Sequence, residues 1–168
     1  MRAMVDHFTA LDATLCVGSH PHAPEHFTEL ASQHGVRAVV SLQSDADLAS
    51  RGLSWNMVWQ LWTRLGVQAT RVPITDFDQA DLGRRLDDGV HAVAGYLAAD
   101  RRTFVHCNAG LNRSPSTVIA YMTMHRQMPL DAATAWVLER HRALPYHDVL
   151  ARWARGHGLP LTSETPAG

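Results

Sequence analysis

Lysine is missing from this sequence: all fifteen basic residues are arginine. That absence removes every mechanism built on a side-chain amine, Schiff-base chemistry among them, and also the lysine of a P-loop nucleotide site. Cysteine is scarce, with only Cys16 and Cys107, too few for the disulfide framework of a small secreted domain. No apolar run approaches the roughly 18–20 residues that span a bilayer. Asp6, His7 and Asp12 interrupt the N-terminal stretch where the apolar part of a signal peptide would lie. Excess charge is absent too: 15 basic residues stand against 16 acidic ones for a formal net charge of −1. With no basic cluster, there is no electrostatic footprint for nucleic acid or a membrane surface. A cytoplasmic monomer without nucleic-acid or membrane partners is the expectation.

The chain does have enough apolar residues for one core, 46% of 168, spread along its length. One domain is expected over residues 1–156, and the Gly- and Pro-containing stretch 157–168 reads as a loose tail. Strand-like runs occur at 13–17, at 36–42 (VRAVVSL), at 67–74 and at 103–106. Helical spacing occurs at 23–34, from Ser54 to Leu65, at 81–99 with Leu82, Leu86, Val90, Val93 and Leu97 in rhythm, and at 114–126, 130–141 and 147–155. Strands alternating with helices predict an α/β fold whose central, mostly parallel sheet is flanked by helices. Ligands in such folds sit at the carboxyl ends of strands.

One such end carries FVHCNAGLNRSPST, residues 104–117. An apolar strand runs into His106 and Cys107, then through Asn108, Ala109, Gly110, Leu111 and Asn112 to Arg113, Ser114 and a helix. A tight strand-to-helix loop aims its backbone N–H groups and the positive end of the helix dipole at one point, which is an anion site. Ala109 and Gly110 keep the loop slim, and Arg113 can grip two oxygens of a tetrahedral oxyanion. The same donors would hold the sulfur of Cys107 as a thiolate. A thiolate beneath a phosphate can attack phosphorus in line, with Ser114 donating to the sulfur as it leaves in a second step and His106 orienting the loop from behind. Neither step calls for a metal or another cofactor.

Departure of an alkoxide needs a proton. The segment VPITDFDQADL supplies Asp76, Asp78 and Asp81 after a strand. Asp76 falls first and is the favoured general acid, later the base for water; Asp78 remains a rival, and Asp81 reads as the helix cap before Leu82.

HCNAGLNRS fits the pattern H-C-x5-R-S, and in this strand-to-helix context the chain resembles the cysteine-dependent phosphatases of dual-specificity type. The stretches VGSHPHAPEHF, VVSLQSDADL, ITDFDQADLGRRL and HCNAGLNRSPST are similar to plant phosphoglucan phosphatases, and HCNAG also to the laforin phosphatase domain. The similarity runs from Leu15 to Trp153. It implies a protein-tyrosine-phosphatase-like architecture, with Cys107 as nucleophile, Arg113 as phosphate ligand, Asp76 as general acid and Phe77 as part of an aromatic platform for a sugar ring. Asn112 stands where glucan phosphatases usually have glycine. The implied substrate is a phosphorylated protein or a phosphorylated glucan.

Other readings stay open from the residues alone. The loop could serve a phosphate-recognition module without turnover, or a rhodanese-like sulfurtransferase. His20, His22 and His26 invite a metal, but Pro21 and Pro24 break their spacing and no carboxylate or cysteine completes a set. Trp55, Trp59 and Trp62 read as one core-facing stripe, and Arg84 and Arg85 as a solvated helix face.

Overall fold

The computed structural model describes residues 7–163. In chain order the elements are β1 (Phe8–Ala10), β2 (Leu15–Gly18), α1 (Pro24–Ser32), β3 (Ala38–Ser41), α2 (Asp45–Ala49), α3 (Trp55–Arg64), β4 (Gln68–Arg71), α4 (Gln79–Ala98), β5 (Thr103–His106), α5 (Arg113–His125), α6 (Leu130–Leu138) and α7 (His147–Gly156). The strands form one sheet in the order β1-β2-β5-β3-β4. β5 lies between β2 and β3 and runs parallel to both, β3 runs parallel to β4, and β1 closes the other edge antiparallel to β2. The mostly parallel α/β architecture is therefore present. The short edge strand β1 and the one-turn helix α2 have no counterpart in the sequence reading. Three residues carry too little periodicity to register as a strand, and α2 exists because Ser44 and Asp47 cap each other's backbone N–H in a capping box.

Side-chain alternation along the strands divides the core into two layers. Leu15, Val17, Val40 and Val105 face one side and pack with α4, α5, α6 and α7; Cys16, Val39 and Phe104 face the other and pack with α1 and α3. β5 is buried along its whole length, so its carboxyl end opens at the centre of the sheet.

Three expectations are corrected here. The tryptophan stripe holds only in part: Trp62 is fully buried against Phe27, and Trp55, under the guanidinium of Arg71, packs on the same core layer, whereas Trp59 is 44% exposed. The helix expected at 130–141 ends at Leu138 and closes in a turn, with the Arg140 and His141 N–H groups sharing the Val137 carbonyl, and His141 donates from its ring to the carbonyl of Gly110 at 2.8 Å. Residues 157–163, expected as a loose tail, lie back on the domain: Leu130 and Asp131 donate to the carbonyls of Pro160 and Leu161, and Leu159 and Leu161 pack on the core. Residues 164–168 lie outside the described part. Cys16, by contrast, is the buried strand residue expected, and burial pushes its thiol up to about 11. It belongs to the layer opposite that of Cys107.

The contrast between the tryptophans is measurable. Trp62→Ala should cost about 3–5 kcal/mol in urea unfolding, whereas Trp59→Ala should change stability by less than about 0.5 kcal/mol.

Candidate active site

Residues 107–112 bridge β5 and α5. The loop turns at Gly110, whose φ of +74° suits a residue without Cβ; an added Cβ would stand 2.6 Å from the carbonyl carbon of Gly18. This turn brings the Gly110 N–H to 3.3 Å from Cys107 Sγ. The Ser114 hydroxyl lies 3.2 Å from the same sulfur and donates to the Gly18 carbonyl at 3.1 Å. Its single proton has two acceptors in reach, so it can turn to the sulfur when that sulfur carries charge. Among the described residues the N–H groups of Asn108, Ala109, Leu111 and Asn112 donate to no protein acceptor. A loop that leaves so many backbone donors unpaired suits an anion.

Arg113 is buried, with 2% of its surface exposed. One edge of its guanidinium is saturated: Nη1 donates to Asp47 at 2.6 Å, to the Ile74 carbonyl at 2.8 Å and to the Leu42 carbonyl at 3.5 Å. The other edge is different. Nη2 is 3.2 Å from Asp76 Oδ2, and Nε is buried without a partner. A buried charged donor left unpaired costs roughly 1–3 kcal/mol or more, so this edge calls for a ligand. Although burial works against the charge of Asp47, the bond from Arg113 and the Ser44 N–H hold its carboxyl below the usual range.

The three acidic candidates separate by their partners. Asp78 caps α4, accepting from the Asp81 N–H at 2.9 Å, which corrects the assignment of that cap to Asp81. Asp81 instead accepts from the Thr75 N–H at 2.7 Å and pairs with Arg84. Asp76 alone of the three faces Arg113, and Phe77 beside it is 86% exposed at φ +60°, an uncommon conformation for an aromatic residue. Arg84 and Arg85 lie on the exposed side of α4, paired with Asp81 and Asp88.

His106 lies behind the loop, not on its open side. It is fully buried, its Nδ1 is 3.1 Å from the Cys107 carbonyl, and its ring stacks on Phe104. Burial, with help from the charges of Arg113 and Arg51, pushes it down to about 4. The side chains of Asn108 and Asn112 also turn away from an incoming ligand. Asn108 Oδ1 accepts from Gln43 Nε2 and Arg51 Nε, and Asn112 Nδ2 donates to the Leu144 carbonyl. The backbone of these residues, together with that of Ala109, Gly110 and Leu111, is what remains for binding. His20 Nδ1 donates to Gln43, His22 Nδ1 accepts from Arg51, and His26 accepts from the His22 N–H.

Several supports were not legible in the sequence. His141 donates from Nε2 to the Gly110 carbonyl and accepts at Nδ1 from Thr9, and the Leu144 N–H donates to the Leu111 carbonyl at 2.7 Å. These residues brace the loop from a segment remote in sequence, and no local signal marks them. Asp47 had a signal, since SDAD is a capping-box pattern, but the bond that the same Oδ2 accepts from Arg113 depends on the fold.

Residues 15–150 match the family described as dual specificity phosphatase, catalytic domain. The chain belongs to that family. It is 38% identical over 112 residues to the amyloplastic phosphoglucan phosphatase DSP4 of Castanea sativa, covering 64% of this chain and 29% of that protein. To the human phosphatidylglycerophosphatase and protein-tyrosine phosphatase 1 it is 29% identical over 135 residues, 80% of this chain and 65% of that one. The chain thus spans less than two thirds of the length of these relatives. Among solved structures, PTPMT1 in complex with PI(5)P superposes with a TM-score of 0.75 at 22% identity, over 91% of this chain and 96% of that one. Tk-PTP in its active form gives 0.74 at 22% identity, over 91% and 97%. At such identities the likeness is one of fold.

Two outcomes follow from the geometry. Gly110→Ala, which brings a Cβ against the Gly18 backbone at a positive φ, should lower any turnover at the loop at least about tenfold while the far-UV spectrum stays unchanged. The second concerns pH. His20, lowered to about 3 mainly by burial, with the charge of Arg51 adding to it, is like His106 neutral when folded, whereas both have an ordinary value of 6.5. As pH falls below about 6.5 the unfolded chain binds protons first, so stability holds above that pH and drains away towards pH 4. Unfolding free energies from urea titrations at pH 7.5 and pH 5 should differ by on the order of 1–2 kcal/mol per ring, and His20→Gln should shrink the difference.

Proposed function

We propose that this protein hydrolyses phosphomonoesters through a phosphocysteine intermediate, without a metal. The observation that carries this reading is the buried Nε of Arg113, left without a partner at the end of a loop in which Cys107 Sγ accepts the Gly110 N–H and the other N–H groups are unpaired. The phosphate dianion takes the Nε and Nη2 edge of Arg113, with its oxygens on the loop amides. Asp47 and the carbonyls of Ile74 and Leu42 keep the opposite edge in place. Asp76, displaced from Nη2, stays beside the phosphate on the side open to solvent.

In the first step the Cys107 thiolate attacks phosphorus, the bond to the ester oxygen breaks, and Asp76 delivers its proton to that oxygen. In the second, Asp76 takes a proton from water as the water oxygen bonds to phosphorus. The sulfur leaves with its electron pair and receives the Ser114 hydroxyl proton as a hydrogen bond. His106 acts through the loop by holding the Cys107 carbonyl.

The substrate is a phosphorylated glucan or a phosphorylated protein. The exposed ring of Phe77 beside Asp76 offers a stacking face for a sugar or an aromatic side chain. The phosphoglucan phosphatases among the relatives favour the glucan.

Phosphate release from para-nitrophenyl phosphate, phosphorylated amylopectin and a phosphotyrosine peptide, with chelator present, tests the reading. Cys107→Ser should abolish turnover, and Asp76→Ala should lower kcat by about 10²-fold or more on substrates with poor leaving groups. Anion binding without turnover would make the loop a recognition module. Thiosulfate turnover insensitive to Asp76→Ala would make the protein a sulfurtransferase.

A further inference from the structure

Gly110 is held from outside the loop by two side chains in series, neither of which the proposed chemistry uses. His141, just beyond α6, has its Nε2 at 2.8 Å from the Gly110 carbonyl oxygen. A carbonyl only accepts, so Nε2 carries the hydrogen and Nδ1 keeps a lone pair. That lone pair is 2.7 Å from Thr9 Oγ1 on the edge strand β1, and the hydroxyl therefore donates. Both protons are thereby assigned: Thr9 O–H to His141 Nδ1, and His141 Nε2–H to Gly110. The ring is buried and lies against His7, with centroids 4.1 Å apart, and His7 Nε2 donates in turn to the Arg142 carbonyl at 2.8 Å. Burial lowers the pKa of His141 in spite of the bond to Gly110, which favours the charged form.

A neutral imidazole has two tautomers, and only one of them serves the loop. With the hydrogen on Nδ1, the lone pair of Nε2 would face the Gly110 carbonyl, acceptor against acceptor. Thr9 selects against that state, because its hydroxyl rewards a bare Nδ1. What depends on the choice is the peptide between Gly110 and Leu111. Its C=O and N–H point in opposite directions across a planar bond, so a carbonyl turned to His141 sends the Leu111 N–H the other way. Among the described residues that N–H has no protein acceptor. Gly110, without a Cβ and at φ +74°, is the residue most able to let this peptide turn over. Thr9, His141 and the 110–111 peptide form one head-to-tail row of dipoles in which each bond polarises the next.

We infer that Thr9 and His141 are positioning residues for the anion loop: Thr9 fixes the tautomer with which His141 holds the 110–111 peptide, and this keeps the Leu111 N–H available to an oxygen of the bound phosphate. The inference rests on the proposed binding of phosphate at the loop, but not on its hydrolysis.

The test uses the full chain. In wild type the imidazole nitrogen-15 spectrum of His141 should show the hydrogen on Nε2. Thr9→Val keeps the shape of the side chain and removes its donor; it should weaken inorganic phosphate about fivefold to tenfold in calorimetric titration. KM for para-nitrophenyl phosphate should rise by a similar factor, with kcat changed less. Thr9→Ser, which keeps the hydroxyl, should restore both to within about twofold of wild type, and His141→Phe should weaken phosphate at least as much as Thr9→Val. A hydrogen found on Nδ1 overturns the inference. So does a Thr9→Val protein that unfolds at lower urea yet binds phosphate as wild type does, since the pair would then only tie β1 to the loop, and so does a lost affinity that Thr9→Ser fails to recover. Phosphate bound by wild type without any turnover sinks the phosphatase reading alone, and the comparison of affinities still decides. A wild type that binds no phosphate sinks both.

Discussion

The guanidinium of Arg113 joins parts of the chain that no other group brings to one point. It starts α5 and reaches the Leu42 carbonyl after β3, Asp47 on α2, the Ile74 carbonyl after β4 and Asp76 on the next loop. A cation at this depth requires partners, because desolvation costs several kcal/mol per ion and is offset only by close, well-directed bonds. Those partners come from the carboxyl ends of adjacent parallel strands. The sheet order β5-β3-β4 therefore matters for chemistry: it sets three strand ends side by side and lets one arginine collect from all of them.

The saturated and unsaturated edges of that guanidinium divide structure from function. The Nη1 edge is a structural joint. The Nε edge, buried and without a protein partner, is the one left for the ligand in the proposed mechanism. Around it the protein removes alternatives: His106 and His20 are kept neutral by burial, and the asparagine side chains of the loop are turned outward to Gln43, Arg51 and Leu144. The loop presents its backbone to the anion, and its side chains serve the scaffold.

Support from behind is equally physical. The loop carbonyls of Cys107, Gly110 and Leu111 are bound by His106, His141 and the Leu144 N–H, so the amides on the opposite face point forward. A peptide whose carbonyl is fixed cannot rotate its N–H away from the ligand. Preorganisation of this sort is what the proposed binding of a dianion without a metal requires.

Local signals in the sequence determined much of this. Strand and helix alternation carried the sheet, the H-C-x5-R-S spacing carried the loop, and Asp76 was separable from Asp81 by its place after a strand. These are properties of neighbours along the chain, where periodicity, turn chemistry and helix ends act within a few residues. Tertiary structure alone decided the rest. That Asp78 caps α4 and leaves Asp76 to face Arg113, that Trp62 is buried while Trp59 is not, that residues 157–163 return to α6, and that Asp47, His141 and Arg51 converge on the loop are all facts of packing between segments distant in sequence. Each depends on which strand ends meet and which carbonyls need a donor, and such demands are set only when the sheet has assembled.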